Sequence, residues 1–163
     1  MNTRCMSLTL CSILLILGCA DRSKTSEWLE QGRQAKERAT AYAKIGEPFK
    51  AIVILQNFVE LTPPELIAAD DARIVMQSTF ELLGRLELAV NDPQSALRMS
   101  ELCLNEGLRN DLFTARCWAL RGMALERIGN DRLASDAYLE AQRLNLLLLE
   151  KLARHSAEKG DSL

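Results

Sequence analysis

Four things are scarce in this chain, and each scarcity removes a class of answer. Aromatic residues make up 5% of its 163 residues, and β-branched residues are few outside short runs. Strands draw on those two groups, while Ala and Leu, which dominate here, favour helices. There is one histidine. It is His155, in a polar stretch near the C-terminus, so a Ser-His or Cys-His relay would have to be built on that end alone. His155 reads as a solvated surface residue. The five cysteines form no CxxC pair and no Cys/His cluster at ligand spacing, so neither a metal nor a cofactor is expected. No glycine-rich loop follows a strand to cradle a phosphate. Asp70-Asp71 resembles paired carboxylates, but adjacent helical residues point about 100° apart, and a helix cap is the simpler account. The chain reads as non-enzymatic.

Charge is also modest. A net charge of −2 gives no nucleic-acid signature. What is present is a 48% apolar composition, enough for one domain with one core.

The first stretch is separate in kind. The apolar run 6–17 has twelve residues, too short for the roughly 20 that a spanning helix requires and suited to the apolar region of a signal peptide. It ends Ile16-Leu17-Gly18-Cys19, which resembles a bacterial lipobox, with Leu17 where Ala or Ser is commoner. That resemblance implies a leader over 1–18, cleavage before Cys19 and a lipid on its thiol. Two or three acyl chains anchor far more firmly than one. The other reading is an ordinary secretory signal cut near Ala20. The resemblance also implies delivery to an outer membrane, facing the periplasm, because Asp21 stands one position after the place where Asp retains a lipoprotein in the inner membrane. Residues 19–25 are then the lipidated cysteine and a short tether, and the folded part sits close to the membrane.

The stretch 115–145 carries the clearest pattern. Trp118, Gly122, Leu125, Gly129, Ala134, Tyr138 and Ala141 stand at the signature spacing of a tetratricopeptide (TPR) hairpin, which the stretch resembles. Ala39, Tyr42, Gly46, Ala51, Phe58 and Pro63 give a first repeat at about 32–65. Phe80, Leu83, Gly84 and Ala96 give a weaker second repeat at about 77–110, after an extra segment, 66–76. The third runs over about 115–148. The fold class is all-α. The resemblance implies a right-handed superhelical stack of three TPR-like hairpins over 26–159, ending in a C-terminal capping helix, with 160–163 disordered; another α-hairpin solenoid is the alternative. Within it, Gly46 and Pro48 separate the first two helices, whose second member runs through Phe49, Ile52, Leu55 and Phe58. Asp70 or Asp71 is expected to cap a long third helix. Gly122 is expected against Ala134 and Ala141, with Trp118, Leu125 and Tyr138 filling the sides.

Two sets of candidate residues follow. Cys103 and Cys117 lie seven residues either side of Asn110, at similar height across an antiparallel hairpin, and either bond or pack as free thiols; export would permit the bond. In TPR proteins the first helix of each hairpin lines a concave groove. The resemblance places Arg33, Lys36, Thr40, Ala43 and Lys44 there, then Ser78, Glu81, Arg85, Leu88 and Ala89, then Arg116, Ala119, Met123, Glu126 and Arg127. Basic residues outnumber acidic ones, which suits an acidic or carboxylate-bearing peptide or is an ordinary charged surface. The carboxylate clamp of some TPR domains is incomplete: Lys36 and Arg116 fit, while Thr40, Leu82 and Leu120 do not. The expected work is holding a protein partner at a membrane, as in assembly of a pilus or secretion system. The alternatives are an accessory regulator of a cell-wall or other envelope enzyme, and a structural lipoprotein that self-associates through the leucine-rich tail, 146–159.

Overall fold

The computed structural model describes the backbone of residues 6–160 and the side chains of residues 24–157. Among them are six helices and no strand: α1 (Met6–Lys44), α2 (Pro48–Val59), α3 (Ala69–Ala89), α4 (Pro93–Asn105), α5 (Leu112–Ile128) and α6 (Asp131–Gly160). The expected leader 1–18 and Cys19 fall outside the residues whose side chains are described. Of the expected tail, Gly160 closes α6 and 161–163 lie outside the described residues.

Each helix touches only helices one or two along the chain. α1 packs on α2, α3 on α4 and α5 on α6. α2 also meets α3, α4 meets α5, and α3 touches both α1 and α5. Three of the turns share one construction. α1 and α5 each stop at a glycine in the left-handed region, Gly46 at φ 81° and Gly129 at φ 84°, where a side chain would be strained. α3 stops the same way at Asn91, φ 63°. The next helix then starts within one or two residues, on Pro48, Pro93 or Asp131. Asp92 caps α4 by accepting from the Ser95 amide, and Asp111 caps α5 by accepting from the Thr114 amide, so orphan donors are satisfied at both starts.

The core is a line of small and branched side chains between the helices. Ala39, Ala51, Leu55, Leu83, Leu120 and Ala124 are buried, and the Trp28 ring lies 5.3 Å from that of Phe58. Close approach is enforced by glycine. A Cβ on Gly84 would stand 2.5 Å from a Leu120 methyl carbon. A Cβ on Gly122 would stand 2.6 Å from the Tyr138 ring.

Four expectations need correction. α1 begins ahead of Ser26, so 20–25 lie within its bounds. Asp70 and Asp71 do not cap α3: its N-cap is Ala68, and both acids sit in the first turn, where the helix dipole favours them without a capping bond. Gly122 faces the Tyr138 ring, because the ring folds back over α5 rather than filling the side of the hairpin. Phe49 is not core but 70% exposed, since the buried stripe of α2 runs through Ala51, Ile52, Leu55 and Phe58. A fifth difference concerns the end of the chain. The capping helix is not a separate element; it continues α6 without a break, and from Leu149 to Ala157 every side chain is exposed.

A buried polar network ties α3, α4 and α5 together. Gln77, 1% exposed, donates to the carbonyls of Cys103 at 3.1 Å and Gly107 at 2.9 Å, satisfying the C-terminal end of α4. Arg73 donates to Gln77 Oε1 at 2.7 Å and pairs with Asp111 at 2.8 Å and Asp70 at 3.2 Å. Beside this network Cys103 and Cys117 are joined as a disulfide with Cα atoms 5.7 Å apart. Replacing both cysteines with alanine is expected to lower unfolding free energy by about 3 kcal/mol, the loop-closure value for a loop of about 15 residues, read by urea denaturation. Gly122→Ala is expected to cost about 1–3 kcal/mol, the usual range for overpacking. A thermal melt of that variant that coincides with the parent would show that the Tyr138 ring has room to yield.

Candidate functional site

The candidate groove positions sit on α1, α3 and α5. The structure brings two of them into direct contact. Lys36 Nζ donates to Ser78 Oγ at 2.8 Å, bridging α1 and α3. Ser78 in turn donates to the Val75 carbonyl at 2.9 Å, and Thr40 donates to the Lys36 carbonyl at 2.8 Å. Lys36 is half-buried, and that burial lowers its pKa from the ordinary lysine value, because a desolvated cation is disfavoured. No carboxylate among the described residues compensates its charge. Lys36, Glu37, Thr40, Ala41 and Lys44 line a shallow pocket of about 380 Å³. The positions Lys36, Thr40 and Lys44 recur every four residues, so they share one face of α1.

The other cations divide into paired and free. Arg33 lies between Glu30 and Glu37 on its own helix. The hydrogen bond from Arg33, then that from Gln34, holds Glu30 down to about 2, and the same two carboxylates raise Arg33. Arg85 pairs with Glu81 at 3.5 Å. Lys44, Arg116 and Arg127 make no ion pair among the described residues. Of the cations at the candidate groove positions, Lys36, Lys44, Arg116 and Arg127 are therefore the ones without an ion pair among the described residues, fewer than the composition of those positions suggests. Met123 is partly buried. Glu126 is engaged by Tyr138, whose hydroxyl donates to it at 2.7 Å; burial and then that bond push Tyr138 up to about 12. Neutralisation of Arg33 was readable from sequence, since Glu30, Arg33 and Glu37 stand at helical i,i+3 and i,i+4 spacing. The Lys36–Ser78 bridge was not, because it joins residues 42 apart.

A lysine against a serine is also the outline of a nucleophile and its base. The surroundings do not complete that chemistry. Ser78 lies within α3, so the amides around it are committed to the helix and none is left to stabilise an oxyanion. Its hydroxyl is already donated to Val75, and the lysine donates rather than accepts. The pair acts as a cross-helix latch with one uncompensated charge. Elsewhere, no grouping of three or more His, Cys, Asp or Glu that would hold a metal exists among the described residues. Leu120 is buried against Gly84 and Leu82 is half-buried, so the two clamp positions they occupy serve packing. Among the described residues, no helix is long and apolar enough to cross a membrane.

The chain matches no protein-family model, and no curated protein matches it.

Proposed function

We propose that this chain is a lipid-anchored scaffold of the cell envelope, built as a TPR-like stack, that holds an acidic or carboxylate-bearing peptide segment of a protein partner. The observation that carries the reading is Lys36: a half-buried cation whose side-chain partner, among the described residues, is a neutral hydroxyl. Burying a charge without a counter-charge is unfavourable, and a carboxylate arriving at the pocket would remove that penalty. Thr40 and Lys44 extend the same face, and Arg116 and Arg127 add free positive charge on α5. The neighbour-to-neighbour packing of the helices supports a repeat architecture. The lipobox-like Ile16-Leu17-Gly18-Cys19 supports the anchor and, with Ala20 and Asp21 after it, outer-membrane delivery. Assistance in assembling an envelope complex such as a pilus or secretion system is the role that fits, and no nucleic acid or cofactor enters it.

Fluorescence anisotropy with a labelled acidic peptide, against a twin in which every carboxylate is an amide, tests the binding. The acidic peptide is expected to bind, more weakly as salt screens the contact, and the amide twin is not. Lys36→Met is expected to weaken the acidic peptide about tenfold, the loss of one charge-assisted hydrogen bond at about 1.4 kcal/mol. Equal binding of the two peptides, or full affinity in the variant, would sink the reading.

The same residue gives a stability signature. Its folded-state pKa is depressed, so the unfolded chain keeps the Lys36 proton to higher pH than the folded chain does. Between the two values unfolding takes up a proton, and stability rises with pH. Peptide affinity runs the opposite way and falls in that window, because the bound form needs the cation. Lys36→Met is expected to abolish the rise and to leave the denaturation midpoint at neutral pH unchanged or higher. Urea titrations across alkaline pH check this.

A further inference from the structure

Three side chains on three helices stand in one row. Lys36 on α1 reaches Ser78 on α3 at 2.8 Å. Gln77, the residue before Ser78, bonds the Cys103 carbonyl at 3.1 Å. Cys103 is joined in turn to Cys117 on α5, and Arg116 is the residue before Cys117. Cys103 therefore sets Ser78 and Arg116 at nearly one height, within about a turn of helix. The row also shares an open side. The solvent-facing strip of α3 runs through Ser78, Glu81, Arg85 and Ala89, at the three- and four-residue steps of one helix face. α1 borders that strip through Lys36 and Ser78, and α5 borders it through Leu120, which packs on Gly84. Around α5, Cys117 turns to α4 and Leu120 to α3, and exposed Arg116 comes next in the same sense, by steps of about 60° and 40°. Arg116 thus stands over the strip from one side and Lys36 from the other.

The row is charged at its ends and neutral between them. Neither Lys36 nor Arg116 has an ion pair among the described residues, while Arg85, on the strip between, is paired with Glu81 at 3.5 Å. We propose that the partner segment crosses α1, α3 and α5 in extended form and carries two carboxylates on one face, one for Lys36 and one for Arg116, with uncharged residues between. This deepens the reading of Lys36 as a carboxylate site and rests on it. A charge in the middle of the segment would meet a pair that is already closed. Spacing follows from the helices. Neighbouring helix axes lie about 8–10 Å apart, so two steps put α1 and α5 at most about 16–20 Å apart. An extended chain advances about 3.3 Å per residue and returns to the same face every second residue. Acids four or six positions apart span about 13 or 20 Å, which brackets the row, and acids two positions apart fall short. A helical segment would need about eleven positions to span the same distance.

Fluorescence anisotropy of the full chain tests the row, with end-capped Gly-Ser peptides that carry two glutamates at spacings of two, four, six or eleven positions, a single-glutamate peptide, and a glutamine twin of each. Spacings of four and six are expected to bind about tenfold more tightly than a spacing of two or a single glutamate, the gain from a second charge-assisted contact. Arg116→Met is expected to erase the preference and leave every two-glutamate peptide at the affinity of the single-glutamate one, because Lys36 still holds one carboxylate. Arg116→Lys is expected to keep the preference. The melting temperature of Arg116→Met is expected to match the parent's, since the side chain is exposed. Glutamate peptides that outbind their glutamine twins equally at every spacing would overturn the two-point row and leave the Lys36 reading standing. So would a best spacing of eleven, or a preference that survives Arg116→Met. Equal binding of glutamate and glutamine peptides throughout would overturn both.

Discussion

Arg73 is the point on which the arrangement of the later helices depends. A guanidinium that is 9% exposed is tolerable only where its donors are met, because a desolvated unpaired charge costs several kcal/mol. Here they are met by groups from two directions. Gln77 and Asp70 belong to α3, and Asp111 begins α5. Gln77 passes the connection on to the Cys103 and Gly107 carbonyls at the end of α4. One side chain thus holds three helices at a fixed separation. The approach is close enough to constrain the loop: a Cβ on Gly107 would lie 3.3 Å from Arg73 Cδ, and its φ of 132° is one that side chains rarely adopt.

The disulfide and this polar network divide the work. Cys103–Cys117 joins α4 to α5 and acts mainly by limiting the unfolded chain. The Arg73 network joins α3 to both and acts in the folded state, since directional bonds tolerate one register and penalise the others. α3 is in contact with α1, α2, α4 and α5, so whatever fixes α3 also fixes where Ser78 stands. Ser78 fixes Lys36. The position of the candidate binding residue on α1 is therefore set partly by a buried arginine on the next hairpin.

Helix ends were legible because they are local. Gly46 and Gly129, and Pro48 and Pro93, carry their own stop and start chemistry, and Cys103 and Cys117 fall symmetrically about the turn they share. Long-range polar contacts were not. Segment 66–76 reads as an extra insert, yet it contains Arg73, whose partners lie on other elements and leave no periodic trace. Asp70 has the composition of a cap, but the helix starts one residue before it, on Ala69, and the carboxylate turns to Arg73 and Arg109 instead. Gly122 signals close approach without naming what approaches, and the answer, Tyr138, is a large ring rather than a small residue. The continuous α6 had a readable sign. No glycine or proline stands between Asp131 and Lys159, so nothing breaks the helix near residue 148.

The two surfaces of interest differ in physical kind, and that bears on how the molecule can be dissected. The Lys36 pocket is partly buried and shares its geometry with the packing of α1 on α3, so stability and binding both depend on the protonation of one group and are told apart by their opposite dependence on pH. The end of α6 is different. Among the described residues it contacts no helix beyond α5, Leu149 and Leu152 are more than half exposed, and the ion pair between Glu150 and Arg154 is an exposed one, which contributes little to stability. Substitutions there have no route into α1 or α3, so their effects should add to those at Lys36 rather than couple with them. Lys36 lies on the first helix and the exposed leucines on the end of the last, and each helix touches only helices one or two along the chain, so either surface can be varied without disturbing the other.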